Sequence, residues 1–173
     1  MGYYVRAFCT ASKVPDLAAI QSWLRERGSA AVIDGPDRAV EAAQQGVSKP
    51  PVLELQSSDW EQVAVVYRTG KLPILAECNR DDGTDTSLLR QELEEFIELI
   101  AEPGLSEPKK QVLEHLRSTK FIIACQLPTS DIEDDGYDAN GDFLTYFVEQ
   151  CGGMIQADGE GFYEGAEVIV KLR

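Results

Sequence analysis

Three observations predict an α+β fold with a mixed or mainly antiparallel sheet and helices on one side. Short runs rich in β-branched and aromatic residues recur along the chain, among them Tyr3 to Cys9, Val63 to Tyr67 and Phe121 to Leu127. Between them lie stretches whose apolar residues return at helical spacing. Two of the strand-like runs are joined only by Arg68-Thr69-Gly70-Lys71, a Gly-containing connection of hairpin type. With 173 residues, 43% of them hydrophobic, the chain can bury roughly two-thirds of its unfolded surface, so we read residues 1–173 as one α+β domain.

Taken in order, Tyr3 to Cys9 reads as a strand, followed by a helix carrying Leu17, Ile20 and Leu24 that Gly28 stops. Ala31-Val32-Ile33 is a short strand. From Pro36 to Pro51 large apolar residues are few, which predicts a mobile connection or one weak helix around Arg38 to Gln45. Val52 to Leu55, Val63 to Tyr67 and Leu72 to Cys78 are strands, and Pro73 suits an entry or edge position because it lacks a backbone donor. Leu89, Leu93, Phe96, Ile97 and Ile100 form the apolar stripe of a helix that Pro103-Gly104 ends. Pro108 opens the next helix, which buries Val112, Leu113 and Leu116. Phe121 to Leu127 returns to a strand, and an acidic loop from Ser130 to Asp142 leads into a helix with Phe143, Leu144, Phe147 and Val148. Met154 to Ala157, a Gly-rich turn and Glu167 to Leu172 close the chain.

An internal echo suggests two duplicated βαβ-type halves, residues 1–80 and 119–173, joined by a helical pair over 81–118. Placing Gly28 on Gly152 sets Ile20 on Leu144, Trp23 on Phe147 and Asp34 on Asp158. The opposing reading is that any two amphipathic βαβ units look alike at this level.

Charge restricts the function classes. There are 16 Lys+Arg against 30 Asp+Glu, a net charge of −14, which disfavours nucleic-acid backbones and anionic lipid alike. The excess is local: residues 1–50 carry 6 basic and 5 acidic residues, leaving 10 basic and 25 acidic for the remainder. No stretch approaches the roughly 20 apolar residues of a membrane span, and Met1-Gly2-Tyr3-Tyr4 does not resemble a signal peptide. Cys9, Cys78, Cys125 and Cys151 form no CxxC pair, so buried free thiols and a cytoplasmic location are expected. His115, the sole histidine, is expected on a helix surface.

Several segments bear chemistry. Asp131 to Asp142 has carboxylates at its first, third, fifth and twelfth positions (Asp131, Glu133, Asp135, Asp142) and Gly136 at its sixth, the oxygen-ligand spacing of a calcium loop. No helix precedes it, the twelfth residue is Asp rather than Glu, and Asp138 stands where an apolar side chain is needed. A solvated acidic loop is therefore the expectation, and Ca2+ the alternative. No other cofactor is expected. Asp81-Asp82-Gly83-Thr84-Asp85 precedes a helix and explains itself by capping. That helix carries Glu92, Glu94, Glu95 and Glu98 against Arg90, and Glu92, Glu95 and Glu98 are read as a ridge for a basic partner. In Asp158 to Gly165, Phe162-Tyr163 are either the plug of a tight hairpin or a cover for a small molecule. Alternation with Ile74, Ala76 and Cys78 turns Glu77 to the opposite face, where burial would make it a ligand-binding acid.

These features favour a non-enzymatic protein-binding or regulatory module, inhibitor-like or immunity-like, that presents its acidic surface to a basic protein. The alternative is an enzyme dependent on a small molecule or metal, with a cup between the two halves.

Overall fold

The computed structural model describes residues 2–48, 57–101 and 104–172. In chain order the elements are β1 (Tyr3–Cys9), α1 (Leu17–Glu26), β2 (Val32–Asp34), α2 (Pro36–Gln45), β3 (Gln62–Val66), β4 (Ile74–Arg80), α3 (Leu88–Ala101), α4 (Glu107–Arg117), β5 (Phe121–Leu127), α5 (Asp134–Cys151), β6 (Gly153–Ala157), β7 (Gly161–Glu164) and β8 (Glu167–Lys171). The strand expected at Val52 to Leu55 lies outside the described residues.

The eight strands form one sheet in the order β2-β3-β4-β5-β1-β6-β7-β8, and every neighbouring pair is antiparallel. The fold is thus α+β with an antiparallel sheet. Two meanders flank the central pair β5-β1. The first abuts it through its last strand, β4, and the second through its first strand, β6, so the two halves enter the sheet by different strands.

Helices occupy both faces of the sheet, which corrects the expectation of one. Strand alternation produces this, because successive side chains of the central strands point to opposite sides and both sides are apolar near Phe8. On the first face, Ala7, Cys9, Ile123 and Cys125 pack with Leu17, Ile20 and Leu24 of α1 and Phe143, Leu144 and Phe147 of α5. On the second, Phe8 and Ile122 pack with Leu89 and Ile100 of α3, Val112, Leu113 and Leu116 of α4, and Phe162 and Val170. Phe8, Phe96 and Phe162 meet with ring centroids 5.5 to 5.6 Å apart. Burying side chains of this size contributes roughly 1.5–3 kcal/mol each.

The weak helix expected around Arg38 to Gln45 is a regular helix, α2, started by Pro36 at its first turn and stopped by Gly46 at φ 67°. It covers the β2–β3 end of the second face, where Val32, Asp34 and Val66 line a cleft of about 340 Å³ beneath Ala39, Ala42 and Ala43. Gln21, 3% exposed, donates to Ala31 O (3.1 Å) and accepts from Ile33 N–H (2.8 Å), so one side-chain amide ties α1 to β2. His115 is half-buried, its Nε2 2.7 Å from the carbonyl oxygen of Phe8. No helix among the described residues is long and apolar enough to cross a membrane.

Candidate functional site

Between α2 and α3 the second face carries polar side chains instead of a packed helix. Register sets them in a row: Gln62 faces Glu77, Glu77 faces Ala124, Ala124 faces Arg6, and Arg6 faces Gln156. This is one rung across five strands, with the small Ala124 separating a carboxylate from a guanidinium. At roughly 4.8 Å per strand, the backbones of Glu77 and Arg6 stand about 10 Å apart.

Arg6 is the anchor of the rung. Its Nη1 donates to Asp158 Oδ1 (2.7 Å) and Gln156 Oε1 (2.8 Å), and its Nε lies 3.5 Å from Glu92 Oε1. Its Cζ sits 5.1 Å from the Tyr4 ring centroid and 5.5 Å from that of Phe96, within cation–π range. Asp158 also accepts from Tyr4 N–H at 3.1 Å. Glu92 Oε2 is buried without a hydrogen-bond partner among the described residues. Burial pushes the Glu92 carboxyl above its ordinary value against the pull of Arg6, and Glu95 and Glu77 add to the rise.

Glu77 lies, as alternation predicts, opposite Ala76 and Cys78. It is half-buried and accepts from Gln62 Nε2 at 3.0 Å. A pocket of about 180 Å³ opens beside it, walled by Tyr4, Pro36, Leu75 and Gln126. A wider cleft of about 520 Å³ shares Gln62 and Glu77 and continues past Glu61 and Arg80 to Asp81, Asp82 and Leu88. Glu77, Glu61, Asp81 and Asp82 thus lie along one open channel with Arg80, whose guanidinium donates to the Trp60 and Ser58 carbonyls, while Asp81 is ion-paired with Arg90 (3.1 Å).

Other expected site residues fall elsewhere. Phe162 is fully buried against Phe8 and Phe96, so it is core and cannot cover a ligand. The segment read as a Gly-rich turn contains a full strand, β7, which places Phe162 inward and leaves Tyr163 half-buried, its hydroxyl donating to Glu160. Glu92 turns inward to Arg6 instead of standing on the outer ridge, while Glu95 and Glu98 remain exposed on α3.

The acidic loop expected from Ser130 to Asp142 is helical from Asp134 onward, which overturns both the solvated-loop reading and its calcium alternative. The helix begins at Asp134, so Asp142 lies two turns inside it and cannot close a loop with Asp131. Asp131, Glu133 and Asp135 are instead held by Lys71 and Arg68. Lys71 and Arg68 bring the Glu133 carboxyl down to about 2. No group of three or more metal-ligating side chains occurs among the described residues.

All four cysteines are free and buried, and desolvation raises every thiol. The residues that sequence reasoning missed are Tyr4, Arg6, Gln62, Gln126 and Gln156. The signal for Arg6 was present, as a lone charge in the middle of a strand between Val5 and Ala7.

No protein-family model matches the chain, and neither a curated protein nor a solved structure matches it.

Proposed function

We propose that this chain is a non-enzymatic protein-binding module, regulatory or inhibitor-like, that holds a basic protein partner against its second sheet face. The observation that carries this reading is the channel between α2 and α3, where Glu77 and its neighbouring carboxylates lie on an open floor. Outward of it, Glu94, Glu95 and Glu98 of α3 are exposed and face no cation within ion-pair distance among the described residues. Opposed charge at such a surface speeds encounter and suppresses acidic competitors, nucleic acid included. Four buried free thiols support action in the reducing cytoplasm.

Titration of the whole protein with a lysine- and arginine-rich peptide by calorimetry at 20 and 300 mM salt tests the reading. Binding at low salt that weakens at high salt, and falls further in the triple variant E94K/E95K/E98K, is the expected result. No heat at 20 mM salt sinks it.

The α2 cleft favours a second reading, small-molecule binding, since about 340 Å³ reaches the lower end of ligand-pocket sizes. That cleft lies within the first meander rather than between halves. Thermal shift with a panel of small apolar amines and acids tests it, and a flat panel removes it.

A further inference from the structure

We infer that the pocket beside Glu77 is a socket for one long cationic side chain of the partner, an arginine in preference to a lysine. This rests on the protein-binding reading above and goes further by naming the group recognised. Size makes the first cut. At about 180 Å³ the pocket is below the roughly 300 Å³ at which small-molecule sites begin, yet it has room for a single extended side chain.

Chemistry makes the second. Pro36 and Leu75 give an apolar wall for a methylene stem, the way long cationic side chains bury their carbons while keeping the head polar. The lining also carries the Glu77 carboxylate and two amides, those of Gln62 and Gln126. Gln62 spends its Nε2 on Glu77, which leaves its carbonyl oxygen as an acceptor without a partner among the described residues. The Gln126 side-chain amide makes no hydrogen bond to the described residues, although it borders the pocket. Tyr4 adds a ring already seen to bear a guanidinium, that of Arg6.

Charge makes the third. Arg6 is matched by Asp158 and Glu92, so Glu77 leaves the neighbourhood negative and an incoming cation completes it. A carboxylate, amide oxygens and a ring suit the planar five-donor fork of arginine better than the compact ammonium of lysine.

Amide-detected NMR of the intact chain with N-acetyl-arginine amide, N-acetyl-lysine amide and the neutral N-acetyl-norleucine amide reads the socket directly. The arginine probe should shift the side-chain amide signals of Gln62 and Gln126 saturably, the lysine probe more weakly and the norleucine probe not at all. E77Q should weaken the arginine probe by about tenfold or more. Q126A, which changes no charge, should weaken it less and guards against a folding defect in E77Q. Equal shifts from the norleucine probe, lysine binding as tight as arginine, or undiminished binding in a folded E77Q overturns the socket. Retained peptide binding in that same E77Q leaves the broader protein-binding reading standing, so the two fail separately.

Discussion

Glu92, carried by α3, lies 3.5 Å from Arg6 Nε on β1, and this contact hangs a helix carboxylate over the middle of the sheet. The two side chains are 26% and 13% exposed, so both ions are substantially desolvated. Because burial outweighs Arg6 and raises the folded-state value of Glu92, its stabilising contribution is present at acid pH and is lost as pH rises through that value. E92Q should therefore be at least as stable as the parent at pH 7.5, and its stability relative to the parent should rise between pH 4 and 7.5. Urea unfolding at both pH values checks this. R6M is the contrast: it strands Asp158 and Glu92 and should cost about 3–5 kcal/mol at pH 7.5.

The buried amide of Gln21 serves two backbone groups at the edge of the sheet. Gln21→Leu keeps the bulk but leaves Ala31 O and Ile33 N–H without their partner. Loss of about 3 kcal/mol is expected, since each stranded buried group costs roughly 1–3 kcal/mol. Hydrogen exchange should show the Ile33 amide losing protection before those of β5.

Gly161 begins β7 at φ 142°, and a Cβ there would lie 2.0 Å from Val170 O. Both the backbone conformation and the close approach of β8 exclude a side chain. Gly161→Ala should cost about 3 kcal/mol or more, read as a lowered urea midpoint with an unchanged slope. Gly159→Ala meets no neighbouring atom within 4 Å and carries only the penalty of its φ of 74°, so it should be the milder of the two.

Glu133 accepts from Lys71 Nζ at 2.7 Å and also binds Arg68. Its depressed value means that its contribution is present above the ordinary carboxylate range and lost as pH falls through about 2. E133Q should lower the melting temperature at pH 5 slightly and leave it unchanged at pH 1.5. The difference should shrink in high salt, because the pair is exposed. Millimolar calcium chloride should leave the melting curve of the parent chain where it is.

Much of the architecture was legible because it depends on local periodicity. The stripes of α1, α3 and α4 follow from helical spacing, and the runs of β1 and β5 from their β-branched and aromatic residues. The calcium-loop reading failed for a physical reason. Asp134 to Asp142 is rich in Asp, Gly and Asn, poor helix formers, yet Ala139 and Phe143 pack under the sheet and hold the segment helical. Tertiary burial outweighed propensity there. Helices on both faces could not be read from either helix stripe, since a stripe says which side of a helix is buried and not which side of the sheet receives it. For the site, Glu77 was placed by alternation. Its partners Gln62, Gln126 and Tyr4 arrive from three other strands, and only the register brings them together.

The first-face layer has one more consequence, for how this molecule can be watched. Cys9, Cys78 and Cys125 of the sheet and Cys151, the last residue of α5, are all buried in the first-face core with α1 and α5, and burial raises Cys78 and Cys151 to about 11. A thiol kept protonated and out of solvent reacts only when its cover lifts. The rate at which an alkylating reagent consumes these sulfurs therefore reports how often the α1–α5 layer opens. A partner bound on the opposite face would appear in that rate only by stabilising the whole fold.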